Sequence, residues 1–158
     1  MINTFMQLSK NFTLAEFTKS QTALRRGIDN TPGEEHLANA TALFRNVVQL
    51  VRDHFGVTVI NSGYRGPALN EAVGGSARSQ HCKGEAVDIE CPGHSNYTVA
   101  KWIEDNLDFD QLILEFYTPG VPDSGWVHVS YKAEGNRKHA ITALKEDGKT
   151  VYKTGLIQ

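Results

Sequence analysis

Residues 79–88, with the sequence SQHCKGEAVD, place the strongest constraint on how this chain folds. They put His81 and Asp88 seven positions apart, with Asp88 inside a run of otherwise apolar residues. A carboxylate in such a run needs a partner, because burial of an unpaired charge is costly. A second histidine, His128, lies between two valines much later in the chain. This combination predicts a fold that brings two imidazoles to one carboxylate.

Side-chain alternation along the predicted strands places polar residues on one face of a sheet. Asp88 and His128 each point away from the apolar residues that flank them. The face of strand 111–117 that carries Glu115 also carries Gln111, Ile113 and Tyr117. If these strands are neighbours in one antiparallel sheet, Asp88, Glu115 and His128 converge. His81, in the loop before the Asp88 strand, then completes the set.

The donor set predicts a metal site, and it leaves two choices open. Two imidazoles and one carboxylate bind catalytic zinc with an open fourth position, and they also form the facial triad of non-haem iron oxygenases. In a metallohydrolase, a further carboxylate takes a proton from water and passes it to the leaving amine. Strand parity favours Glu115 as this base, whereas proximity to His128 in the sequence favours Asp123.

The order of the predicted elements favours an α+β fold. Helices are indicated by a capping box at Thr13 and Glu16 and by the apolar spacing within residues 30–56 and 95–107. Strands are predicted at residues 57–61, 86–90, 111–117 and 126–131, and Asp147-Gly148 predicts a C-terminal hairpin. We expect one domain, residues 1–158, with helices packed on one side of a small antiparallel sheet.

Composition and charge argue against several classes of function. A formal net charge of -2 and the lack of Lys or Arg runs give no footprint for nucleic acid. No apolar stretch approaches the ~20 residues of a membrane span, and residues 1–7 lack the features of a secretory signal. We therefore expect synthesis in the cytoplasm and action elsewhere only after release. Cys82 and Cys91 are expected to be free thiols, since two cysteines make no disulfide framework.

Several motifs together carry a resemblance to a known family. The pattern Ser-x-His-x-x-Gly-x-Ala-x-Asp at residues 79–88 resembles the zinc-binding signature of the D-Ala-D-Ala carboxypeptidase family, peptidase family M15. The SGYR element at residues 62–65 is similar to a Ser-x-Tyr-Arg element of that family. Residues 11–17, 109–115 and 126–130 resemble its small phage-type subgroup. The resemblance covers most of the chain.

The resemblance implies a site, a cofactor and a fold. It implies one Zn²⁺ per chain held by His81, Asp88 and His128. It implies that Arg65 binds or polarises the carbonyl or carboxylate of the substrate, as a guanidinium with several fixed donors can. Ser79 is implied to form a hydrogen bond near the site and to contact substrate, or to cap a loop. The implied fold is the small α+β zinc fold that these peptidases share with the signalling domain of Hedgehog proteins.

The resemblance also implies a function, with one departure from the family pattern. The implied enzyme is a zinc-dependent peptidoglycan peptidase, of carboxypeptidase or endopeptidase type, which cleaves a peptide bond in the cell-wall stem peptide. We expect it to act as a monomer in the manner of a phage or prophage endolysin. Several family members have Glu three residues before the last histidine ligand, where this chain has Gly125. That departure supports an alternative, a non-catalytic zinc-containing binding or structural module of the same fold.

Overall fold

The computed structural model describes residues 5–158; residues 1–4, the start of the segment expected to lack a secretory signal, lie outside the described residues. The strands are β1 (Gln7–Ser9), β2 (Phe12–Thr13), β3 (Val59–Ser62), β4 (Ala86–Glu90), β5 (Gln111–Glu115), β6 (Trp126–Ser130), β7 (His139–Glu146) and β8 (Lys149–Thr154). The α-helices are α1 (Leu14–Thr18), α2 (Gln21–Arg26), α3 (Glu34–Leu43), α4 (Gln49–Phe55), α5 (Pro67–Ala72) and α6 (Asn96–Asn106). These elements confirm the α+β class. None of the helices within residues 5–158 has both the length and the apolar character to cross a bilayer.

Helix α1 begins at the capping box that the sequence predicts. The Thr13 hydroxyl accepts from the backbone N–H of Glu16, and the Glu16 carboxylate accepts from the backbone N–H of Thr13 at 3.1 Å. Helix α2, which starts directly afterwards, was not predicted from the sequence. Ser20 caps α2 by accepting from the backbone N–H of Ala23 at 3.1 Å. The expected end of α1 near Ser20 is therefore also the start of a second helix.

The long helix predicted within residues 30–56 is continuous but not uniform. It starts at Glu34 and ends at Phe55, and a π-helical segment, Phe44–Val48, joins α3 to α4. Phe44, at the start of this segment, is fully buried and packs edge-on against Phe17 of α1, with ring centroids 5.2 Å apart. A π segment widens the helical turn by one residue. The apolar spacing that predicts this helix does not show the widening.

The large sheet has the strand order β3-β4-β6-β5-β7-β8. Its pairs are antiparallel apart from β5 and β7, which run parallel. The expectation of an antiparallel sheet is thus correct for most of it and misses one parallel pair. β6 and β7 lie on opposite sides of β5. The chain reverses direction between β5 and β6 and again between β6 and β7, so β7 runs in the same direction as β5. The predicted C-terminal hairpin is present as β7 and β8, which pair from Ile141 to Glu146.

The hydrophobic core lies between one face of this sheet and the helices. Its sheet side includes Val87, Leu112, Leu114, Val127 and Val129, all with no exposed surface. Its helical side includes Phe17, Leu43, Val51 and Ile103 from α1, α3, α4 and α6. The alternation predicted for β4, β5 and β6 is present, since their polar residues point to the opposite face.

The predicted alternation fails at the end of β5. The two-residue alternation predicts Tyr117 on the face of Glu115, but Tyr117 is buried in the main core. Phe116 instead packs on the other face, against the small cluster of Ile113, Ile141 and Ala143. The cause is the backbone of Phe116, whose φ of 56° is left-handed and interrupts the two-residue period of the strand.

Candidate metal centre and active site

Three side chains predicted as ligands meet on the open face of the sheet. His81 comes from a single 3₁₀ turn, Gln80–Lys83, while Asp88 and His128 lie directly opposite each other on β4 and β6. The His128 Nδ1 atom is 3.0 Å and the His81 Nε2 atom 3.5 Å from the Asp88 Oδ1 atom. One donor atom from each residue lies within 4.8 Å of the other two, so the group could hold a metal ion.

Backbone groups orient the His81 ring. Its Nδ1 atom lies 2.8 Å from the carbonyl oxygen of Gly63, which only accepts, so Nδ1 carries the proton and donates. The lone pair is then on Nε2, the atom that faces Asp88. Gly63 itself lies where a Cβ atom would overlap the backbone carbonyl oxygen of Phe17. An imidazole held by its second nitrogen in this way is the usual arrangement of a metal-binding histidine.

The electrostatics of Asp88 suit a metal ligand. Burial opposes ionisation of this carboxyl, but the adjacent His128 and His81 rings outweigh it and hold the pKa of Asp88 below its usual range. The three side chains are between 4% and 16% exposed, so they are largely sheltered from bulk water. An ionised carboxylate and two imidazole lone pairs that share one side of a cavity match a two-histidine, one-carboxylate site.

Glu115 lies on the same face as the triad, one strand away. Ile113 is directly opposite His128, and Glu115 is opposite Trp126, so Glu115 and His128 are diagonal neighbours. Diagonal neighbours in a sheet are separated by about 7–8 Å, a gap that one water molecule and a substrate group can occupy. Burial raises the pKa of the Glu115 carboxyl above its ordinary value; the charge on His128 opposes this rise and that on Asp88 adds to it.

Asp123, the other candidate base, does not line the cleft of the triad. It is exposed and borders a different cavity, with Glu90, His94 and Asn96. The loop that carries Asp123 leads to Gly125, whose φ of 67° is left-handed. A Cβ atom at Gly125 would overlap the backbone carbonyl oxygen of Glu115. The position where several family members have Glu therefore has no room for a side chain in this chain.

Arg65 and Ser79 lie beside His81. The backbone N–H of Arg65 donates to the carbonyl oxygen of His81 at 3.1 Å, and the half-buried Arg65 side chain lines the cleft of the triad. Its Nε atom is buried without a hydrogen-bond partner among residues 5–158, and its guanidinium forms no ion pair with a described residue. The Ser79 hydroxyl accepts from the backbone N–H of His81 at 3.2 Å, so Ser79 caps the turn that carries this histidine.

Comparison with known proteins identifies the family. The family model described as Peptidase M15 matches residues 10–130 of this chain. The chain belongs to the Peptidase M15 family. The matched region contains the triad, Arg65 and Glu115. No curated protein matches the chain.

The cleft of this M15 peptidase is larger than the triad. It has a volume of about 680 Å³, within the range of about 300–1,000 Å³ that is common for small-ligand sites. Asp110, Gln80 and Arg137 also line it, and none of the three was predicted from the sequence. Asp110 accepts from the side chains of Gln80 at 3.0 Å and of Arg137 at 2.8 Å. The position of Gln80 next to His81 in the sequence could have indicated Gln80 as a cleft residue. Asp110 is brought next to Gln80 only by the fold.

Both cysteines of this peptidase are free. Cys82 follows His81 in the 3₁₀ turn Gln80–Lys83. Cys82 nevertheless lies outside the group that could hold a metal. Its Sγ atom lies 3.9 Å from the carbonyl oxygen of Ser76, and burial raises the pKa of this thiol.

Proposed function

We propose that this M15 peptidase is a zinc-dependent peptidoglycan peptidase that hydrolyses a peptide bond of the cell-wall stem peptide. The observation that carries the proposal is the convergence of His81, Asp88 and His128 in a cleft that also presents Glu115 and Arg65. The peptide substrate follows from the family, and the cell-wall substrate rests on the resemblance of residues 79–88 to the D-Ala-D-Ala carboxypeptidase signature.

The three ligands would hold one zinc ion per chain through His81 Nε2, His128 Nδ1 and a carboxylate oxygen of Asp88. M15 peptidases are generally zinc-dependent, and this favours zinc over iron for a donor set that fits both. A zinc ion bound by these residues would act as a Lewis acid, which would make bound water more acidic and polarise the carbonyl group. The hydrogen bond from His81 Nδ1 to Gly63 keeps the His81 ring turned for this purpose.

Arg65 and Glu115 would perform the remaining steps. The guanidinium of Arg65 has no carboxylate partner in the described part of the chain, so it is available to the substrate's carbonyl or carboxylate oxygen. Glu115 accepts a proton from the attacking water and delivers it to the leaving amine nitrogen. Burial raises the pKa of this carboxyl above its ordinary value, and this suits a group that gains and loses a proton in one cycle. Ser79 supports the site by capping the His81 turn, and its hydroxyl borders the cleft where substrate would lie.

The absence of room at Gly125 supports Glu115 as the base. A glutamate cannot replace this glycine without moving the backbone of Glu115 and Phe116. In this chain β5 instead provides a carboxylate, Glu115, on the face of the sheet that carries Asp88 and His128. We propose that Glu115 replaces the missing family residue, and that the protein is a catalyst and not a binding module.

The biological setting is also proposed from the resemblance. Residues 11–17, 109–115 and 126–130 are similar to the small phage-type subgroup, and this supports a phage or prophage endolysin. Such an enzyme is made in the host cytoplasm and reaches the wall after release. We propose that it acts as a monomer, with either endopeptidase or carboxypeptidase specificity.

Zymography on purified cell walls tests this function. Protein stripped with a chelator should lose wall lysis, and added zinc should restore it. His128→Ala should abolish both zinc binding and lysis, whereas the control His94→Ala, an exposed histidine outside the cleft, should keep both. Lysis that continues after complete removal of metal would refute a metallopeptidase. Zinc binding without turnover on any wall substrate would favour the binding module.

A further inference from the structure

The cleft contains a second group of residues that the family match does not include. Residues 131–158 follow the matched region and form β7, β8 and the loop before them. Lys132, Arg137 and Tyr152 from this segment line the same cleft as the triad. β7 pairs with β5 beside Glu115, so the segment extends the sheet on the side of the candidate base. One wall of the cleft is therefore built by the part of the chain that lies outside the family match.

Arg137 is held in place from behind by a buried carboxylate. Asp110 is 1% exposed and Arg137 is 56% exposed. The Nε and Nη2 atoms of Arg137 donate to the two carboxylate oxygens at 3.0 Å and 2.8 Å, and its backbone N–H donates at 3.1 Å. Asp110 in turn donates its backbone N–H to the carbonyl oxygen of Ser130 at 2.9 Å. Asp110 thus occupies Nε and Nη2 of Arg137, and Nη1 has no hydrogen bond to any described residue.

Lys132 adds a second cation to the wall of the cleft that contains Arg137. The side chain of Asn136 accepts from the backbone N–H of Lys132 and donates to its carbonyl oxygen, both at 2.8 Å, which fixes the start of the loop. Lys132 is half-buried, and its ammonium group forms no ion pair with a described residue. The cleft residues include five cations, Arg65, Arg78, Lys83, Lys132 and Arg137, and four acids, Glu85, Asp88, Asp110 and Glu115. A chain with a net charge of -2 thus has a cleft with a small positive excess, before any metal ion is counted.

The distance between this wall and the triad sets the reach of a ligand. Ser130, which anchors Asp110, is two residues beyond His128 on β6 and points to the same face. Two residues of a strand span about 7 Å, so the pair of Arg137 and Asp110 lies about one to two substrate residues from the triad. We propose that Arg137 and Lys132 form a subsite for a carboxylate of the peptide substrate, within two residues of the cleaved bond. This inference rests on the proposed function, since it names the group of the stem peptide that the cleft selects.

Binding to the full chain, stripped of metal so that no turnover occurs, tests the subsite. Three ligands are compared. The first is a synthetic stem peptide in which D-isoglutamate and the diamino acid each have a free carboxylate. In each of the two analogues, one of these carboxylates is replaced by an amide. Calorimetry should show that one of the two amides binds about tenfold more weakly to the wild type, since a hydrogen-bonded charge is lost. Equal binding of the acid and both amides would overturn the subsite.

Two variants connect this discrimination to the named residues. Arg137→Gln combined with Asp110→Asn removes both charges together and leaves no buried carboxylate without a partner. Lys132→Ala breaks no side-chain interaction within the described residues. Each variant should bind the peptide with both free carboxylates more weakly than the wild type does. Each should bind the amide that the wild type binds more weakly with unchanged affinity. An Arg25→Ala control, at an exposed arginine outside the cleft, should keep the preference. Full preference for the acid in both cleft variants would refute the assignment.

Turnover by the zinc-loaded wild type separates this inference from the proposed function. Cleavage of the peptides without any preference for a carboxylate would overturn the subsite alone. Preference for a carboxylate that depends on Arg137, without cleavage of any stem peptide, would overturn the proposed hydrolysis and support the subsite.

Discussion

Replacement of Gly125 by alanine should destabilise the protein more than an ordinary loop substitution. Gly125 has a φ of 67°, and a Cβ atom there would overlap the carbonyl oxygen of Glu115 and lie 2.8 Å from the carbonyl carbon of Phe116. Both obstacles are backbone atoms, one in the last residue of β5 and one in the residue after it. Neither can move away as the end of a flexible side chain can.

The expected magnitude follows from two costs. A residue with a Cβ atom in the left-handed region costs about 1–2 kcal/mol. Forcing an additional carbon into packed backbone costs about 1–3 kcal/mol more. Gly120→Ala is a matched control in the same loop, because Gly120 has a φ of 85° and nothing within 4 Å of its added Cβ. Only the first cost applies to the control.

Urea unfolding of the two variants isolates the cost of the overlap. Gly125→Ala should lose about 1–3 kcal/mol more unfolding free energy than Gly120→Ala, with a lower midpoint and an unchanged m value. Its Tm should fall by about 2–4 °C for each additional kcal/mol in a chain of this size. Equal losses in the two variants would refute the argument that close approach of the backbone keeps this position a glycine. Gly125→Glu should likewise fail to restore activity to a Glu115→Gln variant.

Three further predictions concern the cleft. Glu115→Gln should lower kcat by about 10²–10⁴-fold, the usual contribution of a general base, while zinc content stays at one per chain; undiminished hydrolysis would remove Glu115 as the base. Asp88→Asn should weaken zinc binding by more than about 100-fold in chelator competition, since even outer-shell partners contribute 10–100-fold; unchanged affinity would contradict the ligand set. Arg137 and its hydrogen bonds lower the pKa of Asp110 from 3.8 to about 2. This ion pair should therefore add on the order of 1–2 kcal/mol to the free energy of unfolding above pH 4, a value reduced to allow for the exposure of Arg137. This contribution should disappear as the pH falls toward 2. An Asp110→Asn variant whose stability deficit is the same at pH 7 and pH 2.5 would contradict this linkage.

Local chemistry made several elements predictable. The capping box of Thr13 and Glu16 lies within one helical turn, so the sequence shows both partners at once. The bounds of β4 coincide with the predicted run of residues 86–90, and Ser95, the first residue of the predicted helical range 95–107, caps α6. Asp147-Gly148 lies between β7 and β8 as expected, since a turn of this kind depends on two residues.

The misses share a dependence on contacts from elsewhere in the chain. The left-handed backbone of Phe116 reverses the predicted position of Tyr117, and no propensity of these residues indicates it. The parallel pairing of β7 with β5 depends on which side of the sheet the chain returns to. The pair of Asp110 and Arg137 joins residues 27 positions apart, through a loop whose path the sequence does not show.

The sequence by itself determined which side chains could form the site and which face of each strand they occupy. That much follows from a period of two residues, which is a property of a single strand. Only the tertiary structure decided that Asp88 faces His128, that Glu115 is a diagonal neighbour of His128, and that Arg137 lines the same cleft. These relations depend on strand order and register, and both are set by packing between segments distant in the chain.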